Sequence, residues 1–289
     1  MPPEDQRAAA ANAPSACVEA GGALAMTDGE FGQFQRFIYE AAGISLSRAK
    51  KAMVTARLAL RVQMCRARSY GDYLRLLMSG ESPEELQTAV DLLTTNETYF
   101  FREPKHFEFL KSIVTEGARR RSGFRVWSAA GSSGEEAYSI AMLLEDCMPG
   151  ESWEVMASDI STRMLARARS GHYSTARTDG IPPAYLRRFC LSGRGAQEGT
   201  LLIDRPLRNK VRFLQVNLNK SLPALGQFDV IFLRNVLIYF DPDTKRQVVR
   251  RVLGQLKPGG WLFVGHTETL AGICDTLERQ SPAIYRKPV

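Results

Sequence analysis

The chain has 289 residues, 44% of them hydrophobic and 24% charged, proportions that suit a globular protein able to bury a core. No apolar run reaches the roughly 18–20 residues that span a bilayer, and the five dispersed cysteines (Cys17, Cys65, Cys147, Cys190, Cys274) exclude a disulfide framework or a paired-cysteine zinc site. The net charge of +7 points to an acidic partner, which leaves nucleic acid, acidic membrane and acidic protein open until the charge is located.

Residues 1–26 are Ala-rich and lack the basic-then-apolar layout of a signal peptide, so they are expected to form a disordered tail of a cytoplasmic protein. Thr27-Asp28-Gly29-Glu30 has the spacing of a capping box, and Phe31, Phe34, Phe37 and Ile38 follow at helical intervals. A second helix is expected from Leu46 to Arg68, where good helix formers run without Gly or Pro, and a third from Tyr70 to Met78. A fourth starts after Ser82, where Pro83, Glu84 and Glu85 favour a helix N-terminus. Together they predict a small all-α domain over residues 27–93.

Beyond Arg102 short apolar strands alternate with helices. Phe124–Ala129, Trp153–Ser158, Val211–Val216, Phe228–Leu233 and Trp261–Gly265 read as strands, and Gly134–Leu144, Ser161–Ser170 and Asp243–Leu256 as helices. That rhythm predicts an α/β domain over residues 94–289, with a mainly parallel, doubly wound sheet. The turn-rich stretch from Cys190 to Val211 breaks the rhythm and predicts a small antiparallel β-subdomain inserted at about residues 188–212.

Ligands of open α/β sheets bind at the carboxyl ends of the strands. The first strand ends in the small-residue loop Ser128 to Gly134, which lets a ligand approach the backbone and a helix start. Asp159, ending the second, suits a ribose diol or alternatively caps the next helix. Asn217-Leu218 suits an adenine edge and face, and Arg234 to Phe240 follows the strand from Phe228. There is no G-K-[ST] phosphate loop and no G-x-G-x-x-G. A nucleoside without phosphates fits these signals, and S-adenosyl-L-methionine is such a nucleoside.

The segment Thr95-Asn96-Glu97-Thr98-Tyr99-Phe100-Phe101-Arg102-Glu103 resembles the N-x-T-x-F-F-R-E signature of the chemotaxis receptor glutamate methyltransferases, the CheR family. The resemblance continues through Val126–Ala141, Ala157–Ile160, Arg234–Phe240, Leu256–Gly260 and Gly265-His266-Thr267-Glu268, in family order. Ala137 stands where the family usually has Pro, and Thr267 where it usually has Ser. The resemblance implies a Rossmann-like S-adenosylmethionine-dependent methyltransferase domain behind the all-α domain. It implies methyl transfer to glutamate side chains of bacterial chemoreceptors, with S-adenosyl-L-homocysteine as product and no metal. Carried onto matching positions, cofactor contacts fall on Asn96, Thr98, Arg102, one of Glu135 and Glu136, Asp159, Asn217, Leu218, Arg234 and Asn235. Arg102 and Tyr239 match the positions nearest the transferred methyl.

An exposed glutamate is ionised at neutral pH and needs no general base to attack a sulfonium methyl. Orientation then matters most, and it is able to contribute about 7–11 kcal/mol. Between Ser47 and Tyr70 there are seven basic residues and no acid, with Lys50, Arg57, Arg61 and Arg68 at a 7-4-7 spacing that would share one helical face. By resemblance that face docks the receptor's helical methylation region. The Gly-rich loop Ser192 to Gly199 implies, again by resemblance, docking of a receptor's C-terminal pentapeptide as an added strand. The chain is expected to act as a monomer, without membrane insertion. A nucleic-acid methyltransferase is the rival class, but the N-P-P-[YF] segment that holds a flipped base is missing. A non-catalytic cofactor-binding scaffold is the other.

Overall fold

The computed structural model describes residues 24–116 and 123–289. The proposed tail therefore lies outside the described residues, apart from its last three. Met26 is no tail residue: it is 4% exposed and packs in the helical core with Phe31. The two occupy the N′ and N4 positions of the first helix, the arrangement of a hydrophobic staple.

The helical part contains α1 (Asp28–Ala42), α2 (Lys51–Met64), α3 (Tyr70–Met78) and α4 (Pro83–Leu93). The capping box forms as the spacing predicts, with Glu30 N–H donating to Thr27 Oγ1 and Thr27 N–H to Glu30 Oε2. Glu30 also accepts from Gly71 N–H at 2.7 Å, tying α1 to the start of α3. The second helix is shorter than its sequence suggests. It stops at Met64 because Arg66 adopts φ +52° and the N–H groups of Arg66 and Ala67 turn back onto Gln63 and Val62. This is a Schellman ending with arginine where glycine is usual, so no glycine marks it in the sequence.

After α5 (Pro104–Glu116) the α/β part begins: β1 (Phe124–Ser128), α6 (Glu135–Cys147), β2 (Trp153–Asp159), α7 (Thr162–Ser170), β3 (His172–Ser174), α8 (Pro183–Phe189), β4 (Cys190–Ser192), β5 (Thr200–Ile203), α9 (Arg205–Arg208), β6 (Val211–Gln215), β7 (Phe228–Leu233), α10 (Pro242–Leu253), β8 (Leu256–Val264), β9 (Glu278–Ser281) and β10 (Ile284–Arg286). Seven strands form one sheet in the order β6-β2-β1-β7-β8-β10-β9. β6, β2, β1, β7 and β8 are parallel, whereas β10 runs antiparallel to both its neighbours. Two apolar clusters fill the two faces of the sheet, and a third fills the helical part.

The inserted sheet is larger than the sequence indicates. Its order is β3-β5-β4, so it begins at His172, and Val211 belongs instead to the edge of the main sheet. His172–Ser174 is too short to carry a strand pattern and is a strand only because β5 pairs with it. The terminal β9–β10 pair is likewise invisible to periodicity.

The helical part sits against the carboxyl ends of the strands. Asn217 Nδ2 donates to Ala41 O at 2.7 Å, Ser45 N–H to Tyr239 O at 2.9 Å, and Gln87 Nε2 to Ile160 O at 3.1 Å. This contact roofs the strand ends and makes a cleft there.

Candidate functional site

The cleft spans about 1080 Å³, part of it open to solvent. Its floor is the loop after β1, its walls are the ends of β2, β6 and β7, and Ala42, Ile44 and the segment Thr94 to Thr98 close it from above.

In the β1 loop, Gly131 and Gly134 are required by close approach. An added Cβ would lie 2.9 Å from Ser128 Oγ at the first and 2.9 Å from Tyr173 Oη at the second, where φ is also +96°. Between them Ser132 takes φ +48°, and its N–H donates to Asp159 Oδ2 at 2.9 Å. Its hydroxyl is buried and has no partner among the described residues, and the residue lines the cleft. Asp159 Oδ1 accepts from Ser161 N–H at 2.9 Å. Burial raises the Asp159 carboxyl above its ordinary range, and these backbone donors pull the other way. Ser161, not Asp159, is the N-cap of α7, accepting from Met164 N–H.

The two adjacent glutamates separate. Glu136 lines the cleft, accepting from Ser128 Oγ at 2.7 Å and pairing with Arg234 at 2.8 Å. Glu135 is absent from the cleft wall. It is fully buried on the other side of α6, with Ser133 Oγ at 2.7 Å and Arg177 at 3.3 Å.

Arg234 is 4% exposed and holds three segments together. It pairs with Glu103 at 2.9 Å and Glu136 at 2.8 Å, and donates to Arg102 O at 2.6 Å. The Glu103 carboxyl is pushed up by burial, but the Arg234 guanidinium, the His266 N–H and the Asn235 amide together hold it below the ordinary carboxylate range. Arg102 is itself fixed, donating to Glu97 O at 2.7 Å and lying over the Tyr99 ring. Tyr239 is half-buried at the mouth. Burial raises its hydroxyl against the pull of nearby Arg102, so it is a protonated donor at neutral pH.

Asn96, Thr98, Arg102, Glu136, Asp159, Asn217, Leu218, Arg234, Asn235 and Tyr239 thus share one cleft. For Asn217 the side-chain amide is engaged elsewhere: Nδ2 on Ala41 O and Oδ1 on Asn219 N–H. That leaves its backbone to face the cavity. Sequence reasoning missed Ser132, and it missed Ala42 and Ile44 because strand-end logic does not look at a preceding helical domain.

These residues fit S-adenosylmethionine. The Asp159 carboxylate and the free Ser132 hydroxyl suit a ribose diol, while Ile160, Val216 and Leu218 offer apolar faces to an adenine. Glu136 stands in the first turn of α6, where a dinucleotide would need its pyrophosphate, so an anion is disfavoured there.

Glu103, His106 and His266 come close enough together to hold an ion. The Glu103 oxygen they share already meets Arg234 at 2.9 Å, and a cation there would face a fixed positive charge.

The basic stripe does not form as expected. Lys50 is exposed at the start of α2, but Arg68 lies beyond the helix end and off that face. Arg57 is half-buried and donates to Leu92 O, Leu93 O and Thr94 O, capping the end of α4. Arg61 pairs with Glu85, which also accepts from Tyr73 Oη. These two cations have internal partners; Arg48, Lys50, Arg66 and Arg68 are the exposed ones.

Residues 96–284 match the family described as CheR methyltransferase, SAM binding domain, and residues 29–94 match CheR methyltransferase, all-alpha domain. The chain is 44% identical to the chemotaxis protein methyltransferase of Escherichia coli K12, covering 91% of this chain and 92% of that one. It is 42% identical to the chemotaxis protein methyltransferase of Salmonella typhimurium, covering 91% of each. Against chemotaxis protein methyltransferase 2 of Pseudomonas aeruginosa the identity is 36%, over 89% of this chain and 92% of that one. Among the described residues no helix is long and apolar enough to cross a membrane.

Proposed function

Since this chain belongs to the CheR methyltransferase family and is an S-adenosylmethionine-dependent methyltransferase of chemotaxis, we propose that it esterifies glutamate side chains in the cytoplasmic helical region of chemoreceptors. The observation that carries this reading is the meeting of Arg102 and Tyr239 with Asn96, Asp159 and Asn235 in one cleft that no histidine lines among the described residues. A carboxylate acceptor is already ionised and needs no base there.

Bound S-adenosylmethionine supplies a methyl group activated by a positively charged sulfur and departs as S-adenosylhomocysteine. The chain's own residues hold and orient. Asp159 and Ser132 take the ribose, the backbone at Asn217 and Leu218 the adenine, and Asn96, Thr98 and Arg102 the amino-acid end. Glu136 and Arg234 act from behind by fixing Arg102, whose carbonyl Arg234 holds. Arg102 then aligns the acceptor carboxylate. Tight ion pairing would oppose the reaction, because the carboxylate loses charge in the transition state. Tethering of Arg102 to Glu97 O favours the aligning role. The Tyr239 hydroxyl donates to the carboxylate and orients the attacking oxygen.

The exposed cations Arg48, Lys50, Arg66 and Arg68 form the electrostatic approach for an acidic receptor helix. β4 is an edge strand paired only with β5, and Leu191 on it is 53% exposed. It is the edge to which a receptor's C-terminal pentapeptide would add. The cleft is complete within one chain, in keeping with a cytoplasmic monomer.

The test uses membranes carrying this organism's chemoreceptors with methyl-labelled S-adenosylmethionine. Base-labile label on receptor is expected. Base-stable label, or label on nucleic acid alone, would refute the reading.

A further inference from the structure

Glu268 ends the Gly265–Glu268 segment after β8, and none of the roles above uses it. The residue is 7% exposed, and backbone N–H groups take up both its oxygens. Oε2 accepts from Gly265 at 2.6 Å and Asn235 at 2.8 Å, and Oε1 from Ile238 at 3.2 Å. No lysine or arginine pairs with it among the described residues. A buried carboxylate without a cation is costly unless its hydrogen bonds are satisfied. Burial indeed raises its carboxyl, and these N–H donors oppose the rise.

The donors share one location. Asn235 has φ +55°, in the left-handed region that few residues other than glycine and asparagine enter, and its N–H points at the carboxylate. Ile238 lies in the single 3-10 turn Leu237–Tyr239, whose first N–H groups have no partner within the turn. Gly265 permits the approach, since a Cβ there would sit 2.8 Å from Glu268 Oε2 and 2.5 Å from Asn235 Nδ2. One anionic side chain from the loop after β8 therefore fixes the loop after β7, from Asn235 to Tyr239.

We propose that Glu268 is a positioning residue for methyl transfer, which sets the Asn235–Tyr239 backbone so that the Tyr239 hydroxyl meets the acceptor carboxylate. The proposal rests on the reading of Tyr239 given above. Glu268→Gln would turn one acceptor into a donor facing N–H groups, whereas Glu268→Asp keeps the charge.

The experiment compares Tyr239→Phe, Glu268→Gln and the double variant in the receptor-labelling assay. Each single change is expected to lower kcat about tenfold, with KM for S-adenosylmethionine changed less than about threefold. The double variant should be no slower than the slower single one, because a misplaced tyrosine has no hydroxyl contact left to lose. Losses that multiply, or a Glu268→Gln kcat within about twofold of the parent, would overturn the proposal. Amide exchange separates it from the tyrosine reading. If Tyr239→Phe alone is silent, the tyrosine reading fails, but the clamp still predicts faster exchange at Ile238 and Tyr239 in Glu268→Gln. Unchanged exchange there sinks the clamp. Should Glu268→Gln not fold, Glu268→Asp carries the same comparisons, with partial loss expected and full activity overturning the proposal.

Discussion

The Asp91 carboxylate, on the helical side, accepts the Arg163 N–H at 3.0 Å and the Thr162 N–H at 3.2 Å, on the first turn of α7. It also takes the Thr162 hydroxyl at 2.9 Å. A helix of the large part is thus capped from the small one, and Ser161 supplies the local cap beside it. Asp91→Ala should remove about 1–2 kcal/mol of stability, the scale of a lost N-cap. Urea unfolding measures it, and a loss below a few tenths would show that the Asp91 contact adds nothing to Ser161.

Glu136 and Arg234 are both largely buried, so removing the Glu136 charge leaves Arg234 one carboxylate partner where it had two. Glu136→Gln is expected to cost about 3 kcal/mol, the low end for breaking a buried pair, because Glu103 still holds Arg234. Glu135→Gln should differ in kind. Its carboxyl lies behind α6, raised by burial, so S-adenosylhomocysteine affinity should stay near that of the parent in Glu135→Gln and fall in Glu136→Gln. Calorimetry of the two variants checks this, and equal losses would contradict the placement.

His106 is 1% exposed, and burial together with the Arg234 charge lowers its pKa from 6.5 to about 4. Glu103 and the stacked His266 are the other groups facing it. The unfolded chain takes up this proton near pH 6.5, whereas the folded chain resists until about 4. Between those values the unfolded state holds more protons, so stability falls as the pH drops. The full effect below the window is about 3 kcal/mol. His106→Phe should flatten the melting temperature against pH from 6.5 to about 4, leaving the carboxylate-linked loss at lower pH. An unflattened curve would mean that other groups carry the acid sensitivity.

Most elements of both parts were legible because their signals are local. Apolar runs such as Phe228–Leu233 and the cap at Thr27 depend on neighbours in the chain. What sequence could not yield depends on partners far away. β3 exists through β5, and Ile44 reaches the cleft only because the helical part docks over the strands. The same reason explains the basic stripe. Spacing places Arg57 and Arg61 on a face, but whether that face meets solvent or α4 is a tertiary fact.

Charge reversal on the helical part should therefore split into two outcomes. Arg61 pairs with Glu85 and is part-buried, so Arg61→Glu sets two carboxylates together and should lower the melting temperature whether or not a receptor is present. Lys50 and Arg68 are exposed, and reversing both should leave the melting temperature nearly unchanged, since isolated surface charges contribute about 0–1 kcal/mol. Receptor methylation by that pair should instead weaken most at low salt and approach the parent rate as salt rises, because at 0.1 M salt screens attraction between charges more than about 10 Å apart. Initial rates across a salt series, with cofactor affinity measured alongside, check this. A rate that is insensitive to both charges at low salt would rule this face out as the approach for an acidic helix.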